Sequence, residues 1–340
     1  MTRILAAGDH FVLPSMLRSA LVEELGADAD IAELTLPWPV EPFGRVAEVD
    51  EASGSEDELI EALSGVTVCV TQMGPITERV LAASPDLRLC CVGRGGPVNV
   101  NLAAASERGV AVCNAPGRNA TATAEHTVAL IMAALRQVPQ RQAELLAGEW
   151  RSDYYRYCQV GPELAGSTVG LVGYGAIGRK VTDILRGFGA EVLVYDPYAD
   201  PSAVQDVAEL VADLGELLNR SLVVTLHARA TPETTGLIGH DQIAAMPAGS
   251  VLVNAARGAL LDYDAVCDAL HSGQLFAAAF DVFPEEPLPA DSPLRTAPRV
   301  VMTPHLAGAS RDTAHNAATI VAAEVGRFTR GEPLRYQVNG

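Results

Sequence analysis

The chain has 340 residues, enough for two domains of ordinary size, and 49% of them are hydrophobic while 19% are charged. Its formal net charge of −18 argues against nucleic acid and anionic membranes as partners. No apolar stretch reaches membrane-spanning length, and the six cysteines include no C-x-x-C pair, so we predict a cytoplasmic protein with reduced thiols.

The first hundred residues alternate short apolar runs with helical patterns. Runs typical of buried strands are Ile4–Ala7, Ile31–Leu34, Val66–Val70 and Leu89–Val92. The Pro-rich segment Leu36–Phe43 between the second and third runs predicts a loop. This part of the chain is therefore expected to form a small α/β domain of its own.

The pattern restarts at Asn101. A short strand at Val110–Cys113 is followed by a long predicted helix from about Thr121 to Leu146 and by the segment Trp150–Tyr157, which is dense in Tyr and Arg. A final helix is predicted at about Ser310–Arg330, after a glycine-containing hinge. If that helix packs on the first domain, the first domain is discontinuous in sequence.

Between these segments, six apolar runs each end in a glycine or a polar residue. Short apolar runs between helical patterns are typical of parallel strands that are covered on both faces. In such a sheet the ligand lies beyond the carboxyl ends of the strands, so the residues that follow the runs are candidate site residues. The runs are Thr168–Val172, Val192–Tyr195, Leu222–Leu226, Val251–Val253, Phe276–Phe280 and Val300–Pro304.

The first of these runs leads into a G-x-G-x-x-G sequence. Its glycines are Gly173, Gly175 and Gly178, with Ala176 and Ile177 between the last two. Glycines at this spacing allow a tight turn and a close approach of the backbone to a pyrophosphate, and the following helix offers free N–H groups at its N-terminus. The pattern predicts a dinucleotide site; a glycine turn without a ligand and an adenosylmethionine site are the alternatives.

Asp196 identifies the dinucleotide. It directly follows the next apolar run and stands 18 residues after Gly178. A carboxylate there accepts hydrogen bonds from both hydroxyls of the adenosine ribose and repels a 2′-phosphate, and the neighbouring Pro197 and Tyr198 offer no cation. We therefore predict NAD rather than NADP.

Three residues near later strand ends suit hydride transfer to a 2-oxo acid. Arg257 offers a fixed cationic fork for a carboxylate and a polarised carbonyl, and His305 can protonate the carbonyl oxygen as hydride arrives. Glu286 would hold the imidazole and favour its protonated form. Taken singly, each has a plain structural explanation, as a surface arginine, a loop histidine or a solvated loop carboxylate.

Two other residues at strand ends are assigned to the cofactor site, and the remaining histidines are not. His227 directly follows the third run, where a structural role is equally compatible, and Ala255 comes after the fourth. His126 and the other histidines show no partner pattern and are interpreted as structural or solvated. No cluster of His, Cys, Asp and Glu has metal-ligand spacing.

With these motifs in place, the chain resembles the D-isomer-specific 2-hydroxyacid dehydrogenases, the family of phosphoglycerate, glyoxylate/hydroxypyruvate and D-lactate dehydrogenases. The resemblance extends over nearly the whole chain, and together its motifs are highly specific. The stretches that carry it are Val169–Gly178, Leu226–Ile238, Val253–Leu261, Asp281–Pro287 and Thr303–Gly308.

The resemblance implies an α/β fold of two Rossmann-like, doubly wound parallel-sheet domains with the active site in the cleft between them. Residues 1–101 with 306–340 would form a flavodoxin-like substrate-binding domain, and residues 102–305 the NAD-binding domain, through which the family usually forms homodimers. The resemblance also implies that Arg257, Glu286 and His305 are the catalytic set.

The same resemblance assigns further contacts. Backbone N–H groups around Gly95 and Gly96 would receive the substrate carboxylate, while Asp281 would lie near the nicotinamide carboxamide and Asp196 on the ribose. The chain ends soon after the last helix, so the regulatory C-terminal domain of some phosphoglycerate dehydrogenases is expected to be missing.

The only indication of the substrate comes from surplus arginines, which are arginines near the predicted site that the catalytic set does not include. Arg94 stands beside the carboxylate-binding glycines, and Arg118, Arg151 and Arg156 are further candidates to face the site. Such arginines suit a phosphorylated, phosphonate or sugar-acid substrate better than pyruvate. The alternative is that they pair with the many surface carboxylates.

Two functional classes stay open at this point. The first is an NAD-dependent 2-oxo acid reductase with His305 as its acid and base. The second is a non-catalytic NAD-sensing binding protein, because the same fold also serves as a transcriptional corepressor. Phosphite oxidation, which also occurs in this family, is a third and less favoured reading.

Overall fold

A computed structural model describes residues 2–39 and 44–340. Within the predicted loop Leu36–Phe43, residues 36–39 are irregular, and residues 40–43 lie outside the described residues.

The described residues form the following elements, numbered in chain order. The strands are β1 (Arg3–Gly8), β2 (Asp30–Thr35), β3 (Val68–Thr71), β4 (Leu89–Val92), β5 (Ala111–Cys113), β6 (Thr168–Val172), β7 (Glu191–Tyr195), β8 (Glu209–Leu210), β9 (Val223–Leu226), β10 (Ser250–Asn254), β11 (Leu275–Phe280) and β12 (Val300–Met302). The α-helices are α1 (Pro14–Leu25), α2 (Glu56–Ala62), α3 (Glu78–Ala83), α4 (Leu102–Glu107), α5 (Ala120–Arg136), α6 (Val138–Leu146), α7 (Ala176–Gly187), α8 (Leu214–Arg220), α9 (His240–Ala244), α10 (Tyr263–Ser272) and α11 (Arg311–Thr329).

The chain divides into two units, Met1–Asn119 with Ser310–Gly340 and Ala120–Ala309. The sheet of the first unit is parallel, in the order β2-β1-β3-β4-β5, which is the flavodoxin-like order. The second sheet is also parallel, in the order β12-β11-β10-β9-β6-β7-β8. Two doubly wound parallel sheets confirm the predicted α/β fold class.

Alternation along the strands gives the first sheet two buried faces. Leu5 and Ala7 of β1 point to one hydrophobic cluster, while Ile4 and Ala6 point to another. The second cluster includes the small residues Ala314, Ala317 and Ala318 of α11, which allow this helix to pack close to α1 and the sheet. Helix α11 therefore belongs to the first unit.

The observed unit boundaries differ from the predicted ones, which lay at residues 101/102 and 305/306. The structure places them at 119/120 and 309/310. The reason for the first shift is β5, whose Cys113 is in register with Cys91 of β4, so that the segment up to β5 is tied to the first sheet.

The helix predicted from about Thr121 to Leu146 is two helices in the structure, α5 and α6. The break falls at Gln137, whose φ of 52° and ψ of 36° place it in the left-handed region. Pro139, in the first turn of α6, lacks the N–H that a continuous helix would use there. The prediction of a single helix was wrong because a strong helical pattern on both sides outweighed the proline.

Five of the six cysteines are buried in the described structure, and Cys158 is exposed. None of the helices in residues 2–39 and 44–340 combines the length and the apolar character needed to cross a membrane.

Candidate active site

The parallel strands of the second unit bring the predicted cofactor and catalytic residues to one edge of its sheet. Because β6, β7 and β9–β12 all run in the same direction, the loops that follow them leave at the same side. The residues in or just after these loops are Gly173, Gly175, Ala176, Ile177, Gly178, Asp196, His227, Ala255, Arg257, Asp281, Glu286 and His305.

Each glycine of the loop after β6 has its own structural reason. Gly173 has a φ of 101°, and a Cβ there would lie 2.7 Å from the backbone nitrogen of Ala228. A Cβ on Gly178 would lie 2.6 Å from the carbonyl oxygen of Gly173, so this glycine lets α7 pack against the turn. At Gly175 a Cβ would meet nothing within 4 Å. The exposed backbone of this turn is open to a phosphate-sized ligand at the N-terminus of α7, and it fits the pyrophosphate of a dinucleotide.

Asp196 is held beside the glycine turn. Its Oδ2 accepts a hydrogen bond of 2.7 Å from the backbone nitrogen of Tyr174, and its Oδ1 accepts one of 2.9 Å from that of Tyr198. The carboxylate is therefore fixed next to the turn and half-buried, where a ribose bound at the turn would meet it.

His227 follows β9 and lies against the same turn. Its backbone is close enough to Gly173 that a Cβ on the glycine would lie 2.7 Å from its carbonyl carbon, and its Nε2 is 3.1 Å from Oγ1 of Thr225. Burial lowers the pKa of His227 to about 4, so its imidazole is neutral at physiological pH. Ala255, after β10, is buried.

Glu286 and His305 are in direct contact. Oε2 of Glu286 lies 2.6 Å from Nδ1 of His305, and Oε1 accepts a hydrogen bond of 2.9 Å from the backbone nitrogen of Phe283. The glutamate is thus anchored to its own loop while its other oxygen orients the imidazole. The His305 side chain is 36% exposed and that of Glu286 is 20% exposed, so the pair is accessible to a substrate.

Asp281 has a role that the sequence did not reveal. Its buried carboxylate accepts hydrogen bonds from the Thr303 hydroxyl at 2.6 Å and from the backbone nitrogens of Leu306 and Ala307 at 2.8 and 2.7 Å. Three donors therefore tie the loop that carries His305 to the end of β11. The contact between Asp281 and the nicotinamide carboxamide, which the family resemblance implies, stays a prediction.

His126 on α5 completes this anchor, although its sequence context showed no partner pattern. Its Nε2 lies 2.9 Å from Oγ1 of Thr303 and 3.6 Å from Oδ1 of Asp281. The single hydroxyl hydrogen of Thr303 goes to the carboxylate, so Nε2 of His126 carries the hydrogen that the hydroxyl accepts. We call Asp281, Thr303 and His126 the loop anchor.

Arg257 stands in the loop after β10. Its guanidinium is exposed and donates to the carbonyl oxygen of Ala256 at 2.7 Å, while its own carbonyl accepts a hydrogen bond of 2.8 Å from Asn254. The next residue, Gly258, packs so closely on Phe283 that a Cβ would overlap the Phe283 carbonyl. The arginine loop and the loop that leads to Glu286 are therefore in contact.

In the first unit, Arg94, Gly95 and Gly96 follow β4. The two glycines are exposed, and a Cβ on either would meet nothing within 4 Å. The Arg94 guanidinium forms an ion pair with the Glu51 carboxylate and donates to the Glu51 carbonyl oxygen at 3.1 Å. The glycines thus present open backbone, whereas Arg94 already has an anionic partner.

The other surplus arginines differ from one another. Arg151 forms ion pairs with Glu144, Glu149 and Asp153 at 3.6, 3.3 and 3.1 Å, as surface pairing predicts. Arg156 is exposed. Arg118 is half-buried in the first unit, where its Nη1 donates to Oε1 of Gln72 at 3.1 Å.

Within residues 2–39 and 44–340 no group of three or more His, Cys, Asp or Glu side chains is arranged to hold a metal ion. The groups that the described edge offers are backbone N–H donors, carboxylates, the Arg257 guanidinium and the imidazoles of His227 and His305.

Comparison with known proteins agrees with this geometry. Residues 128–307 match the family model described as D-isomer specific 2-hydroxyacid dehydrogenase, NAD binding domain. The D-3-phosphoglycerate dehydrogenase of Methanocaldococcus jannaschii is 38% identical over 300 residues, which are 87% of this chain and 56% of that protein. The chain spans about half the length of the phosphoglycerate dehydrogenases that it matches.

Other relatives match over most of their length. The glyoxylate reductase of Korarchaeum cryptofilum is 35% identical over 83% of this chain and 86% of its own. The crystal structure of the TT0316 protein from Thermus thermophilus is similar with a TM-score of 0.77 and 30% identity, covering 99% of this chain and 100% of the other. Since the family model covers more than half of the chain and these relatives extend the match beyond it, the chain belongs to the D-isomer specific 2-hydroxyacid dehydrogenase family, and residues 128–307 are its NAD-binding domain.

Proposed function

We propose that this protein is an NAD-dependent 2-hydroxyacid dehydrogenase that reduces a 2-oxo acid, or oxidises the corresponding D-2-hydroxy acid. The contact of 2.6 Å between Glu286 and His305, at the sheet edge that also carries the dinucleotide turn, is the observation that supports this most directly. A histidine held by a carboxylate beside a bound nicotinamide can act as the acid and base of carbonyl chemistry.

The proposed mechanism assigns one task to each side chain. Arg257 polarises the carbonyl and offers a cationic fork for a carboxylate, and in the first unit the exposed N–H groups at Gly95 and Gly96 are the proposed donors to the substrate carboxylate. His305 donates a proton from Nε2 to the carbonyl oxygen, because Nδ1 is engaged by Glu286. Glu286 orients the ring and stabilises its positive charge before the proton moves. NADH, when bound, supplies the hydride that reaches C2.

The residues present fit NAD. The open backbone at Gly175 and the N-terminus of α7 suit the pyrophosphate, and Asp196 suits the ribose hydroxyls while disfavouring a 2′-phosphate. Neutral His227 packs against the turn without adding charge to it.

The test is NADH oxidation against glyoxylate, hydroxypyruvate, pyruvate, phosphohydroxypyruvate, phosphonopyruvate and 2-ketogluconate, with wild-type protein and His305→Ala. We expect the wild type to turn over at least one of them and the substitution to lower kcat by at least about 100-fold, since it removes the proton donor. NADH affinity, measured by fluorescence titration, should stay within about twofold because His305 is not assigned to the dinucleotide.

His240→Ala is the matched control, because His240 is an exposed residue in the first turn of α9 and should leave kcat unchanged. If the wild type binds NADH and reduces nothing in the panel, the NAD-sensing binding protein becomes the better reading. If His305→Ala retains full activity, the assignment of His305 is wrong.

We further propose that the protein forms a homodimer through residues 138–160 of the NAD-binding unit. Leu146, Trp150, Tyr155 and Tyr157 are 80%, 86%, 93% and 96% exposed. Large apolar side chains grouped on a surface usually mark an interface. Trp150 and Tyr155 also line a groove of about 450 Å³ together with Arg141 and Tyr154, so this surface combines exposed aromatic side chains with a concave site that a second copy can fill, as a two-fold interface requires.

The proposed location is the cytoplasm. Five cysteines lie in apolar cores as thiols, which is typical of proteins that work in a reducing compartment.

A further inference from the structure

A second group of charged and polar side chains lies at the carboxyl edge of the first sheet. Asp9 follows β1, Gln72 follows β3 and Arg94 follows β4, while Arg118 comes shortly after β5. The strands are parallel, so these residues share one edge with the open backbone of Gly95 and Gly96. We call Asp9, Glu51, Gln72, Arg94 and Arg118 the edge cluster.

The contacts within the edge cluster join cations to neutral or anionic partners. Arg118 donates to the Gln72 amide oxygen at 3.1 Å, and its guanidinium carbon lies 5.9 Å from the centre of the Phe11 ring. Arg94 pairs with Glu51. Gln72 is only 6% exposed and the Arg94 side chain is 19% exposed, so packing against neighbouring residues fixes the orientation of both side chains.

Asp9 supplies the second carboxylate. Its Oδ1 accepts hydrogen bonds from the backbone nitrogens of Phe11 and Val12 at 2.7 and 2.8 Å, and its buried Oδ2 has no hydrogen-bond partner among the described residues. Burial raises the pKa of Asp9, whereas the nearby charge of Arg118 lowers it. Burial also lowers the pKa of Arg118 to about 10, and the like charge of Arg94 acts in the same direction, so Arg118 is still a cation at neutral pH.

The charges of the edge cluster therefore nearly cancel. Glu51 forms an ion pair with Arg94, and the charge of Asp9 acts on both Arg94 and Arg118, so two carboxylates balance two guanidinium groups. A phosphate dianion placed here would add two negative charges to a half-buried and almost neutral group, which is unfavourable without an uncompensated cation. The cluster is poorly suited to a phosphorylated or phosphonate substrate.

Hydroxyl groups suit it better, because each hydroxyl both donates and accepts a hydrogen bond. Arg118 offers donors, the Gln72 amide offers a donor and an acceptor, and the carboxylates offer acceptors. A fully apolar chain would take water away from the donors and acceptors of these half-buried groups that their partners in the protein do not use, which is costly.

We propose, on the basis of the function proposed above, that the substrate is a 2-oxo acid with an uncharged, hydroxylated tail, as in a sugar acid, and that Arg118 and Gln72 bind the hydroxyls of this tail. The C1 carboxylate binds at Gly95 and Gly96, and the tail extends along the edge cluster. Arg118 is then a specificity residue that leaves the reacting carbonyl untouched.

Two matched substrate pairs test the proposal on the wild-type protein. 2-Ketogluconate and 2-oxohexanoate have six carbons each and differ in their hydroxyls, and kcat/KM should be at least about 100-fold higher for the first. Hydroxypyruvate and phosphohydroxypyruvate differ by the phosphate, which should lower kcat/KM by at least about tenfold. A preference for the phosphorylated member, or equal use of the two six-carbon acids, would overturn the proposal.

Arg118→Met then locates the effect. It should lower kcat/KM for 2-ketogluconate by at least about tenfold and leave glyoxylate, which has no tail, within about twofold of the wild type. Arg18→Met is the control, because Arg18 is an exposed arginine of the same unit whose ion pair with Glu33 is 3.6 Å long.

The outcomes separate this inference from the function on which it rests. Failure of every panel member in the presence of bound NADH contradicts the proposed function itself. If the protein reduces glyoxylate but does not distinguish hydroxylated from apolar or phosphorylated tails, only the proposed binding of the tail is contradicted. If the Arg118→Met protein melts like the wild type but no longer reduces glyoxylate, Arg118 acts at the reacting carbonyl and its assignment as a specificity residue is wrong. If this variant folds poorly, the two substrate pairs measured on the wild type still decide the chemistry of the tail.

Discussion

His305 occupies a backbone conformation that non-glycine residues rarely adopt. Its φ is 53°, in the left-handed region, which costs an L-residue roughly 1–2 kcal/mol. The backbone nitrogen of His305 donates to the Asp281 carbonyl at 2.8 Å, and the next two nitrogens donate to the Asp281 carboxylate. These bonds hold the bend, and the bend brings the imidazole to Glu286. Such strain, observed at a residue with a chemical assignment, supports that assignment.

His227 gives a prediction about pH at the same scale. Its pKa is about 4 in the folded protein against an ordinary value of 6.5, because burial disfavours the charged form. The unfolded chain therefore binds the proton more tightly, so this contribution to stability is complete above pH 6.5 and is lost as the pH falls from 6.5 towards 4. Between pH 7 and pH 5 the loss should be on the order of 2 kcal/mol.

Urea unfolding of wild-type protein and His227→Gln at these two pH values measures this loss. The glutamine can still bond to Thr225 and does not titrate, so the free energy of unfolding of the variant should fall less than that of the wild type. Equal falls in both proteins would show that His227 does not contribute to the acid sensitivity.

At the scale of elements, the site depends on how helix α5 meets the ends of β11 and β12. α5 brings His126 to Thr303 after β12 and to Asp281 after β11. The apolar face of α5 packs on the sheet through Ala124, Val128 and Ile131, and this packing fixes the position of His126. The loop anchor thus links the packing of a helix to the orientation of a proposed catalytic histidine.

Thr303→Val should test the loop anchor. The valine keeps the shape and removes the hydroxyl, so Asp281 loses a donor and His126 loses an acceptor, at a cost of about 1–3 kcal/mol in the free energy of unfolding. We expect kcat to fall about tenfold with KM for the 2-oxo acid changed less, because the loop that carries His305 becomes less ordered.

Thermal melting and steady-state kinetics, with Thr296→Val as the control, provide the measurement. Thr296 is an exposed threonine whose hydroxyl donates to the Pro293 carbonyl at 3.2 Å, so its loss should be almost neutral. A Thr303→Val protein with wild-type kcat would mean that the anchor serves stability alone.

At the scale of the whole molecule, two units with separate hydrophobic cores are formed from one chain that crosses between them twice. The first unit gains α11 from the end of the chain, and the second is continuous from Ala120 to Ala309. The surface of residues 138–160 belongs to the second unit alone, so the proposed association concerns the NAD-binding unit.

Trp150→Asp should convert the proposed dimer into a monomer. A charge in the centre of an apolar contact has no partner there and costs more than a small interface can offset. Sedimentation equilibrium should give twice 35.7 kDa for the wild type and 35.7 kDa for the variant. Phe188→Asp, at a residue that is 46% exposed after α7, should remain dimeric. A monomeric wild type would refute the proposal.

Local patterns alone predicted the described strands of both sheets except β8, together with the glycine turn, Asp196 and the candidates Arg257, Glu286 and His305. They could do so because burial on both faces makes a parallel strand a short apolar run, and because parallel strands bring all their carboxyl ends to one edge. The family resemblance followed from the same stretches.

Only the tertiary structure decided the rest. It broke the long helix at Gln137, assigned the segment up to β5 to the first sheet, gave Asp281 its three donors, and gave Arg94 and Arg151 their carboxylate partners. Most of these depend on contacts between residues far apart in the chain or on the direction that a side chain takes when packed. Spacing along a sequence predicts which residues share an edge, but the charge that each one meets there is set by neighbours that only folding brings together.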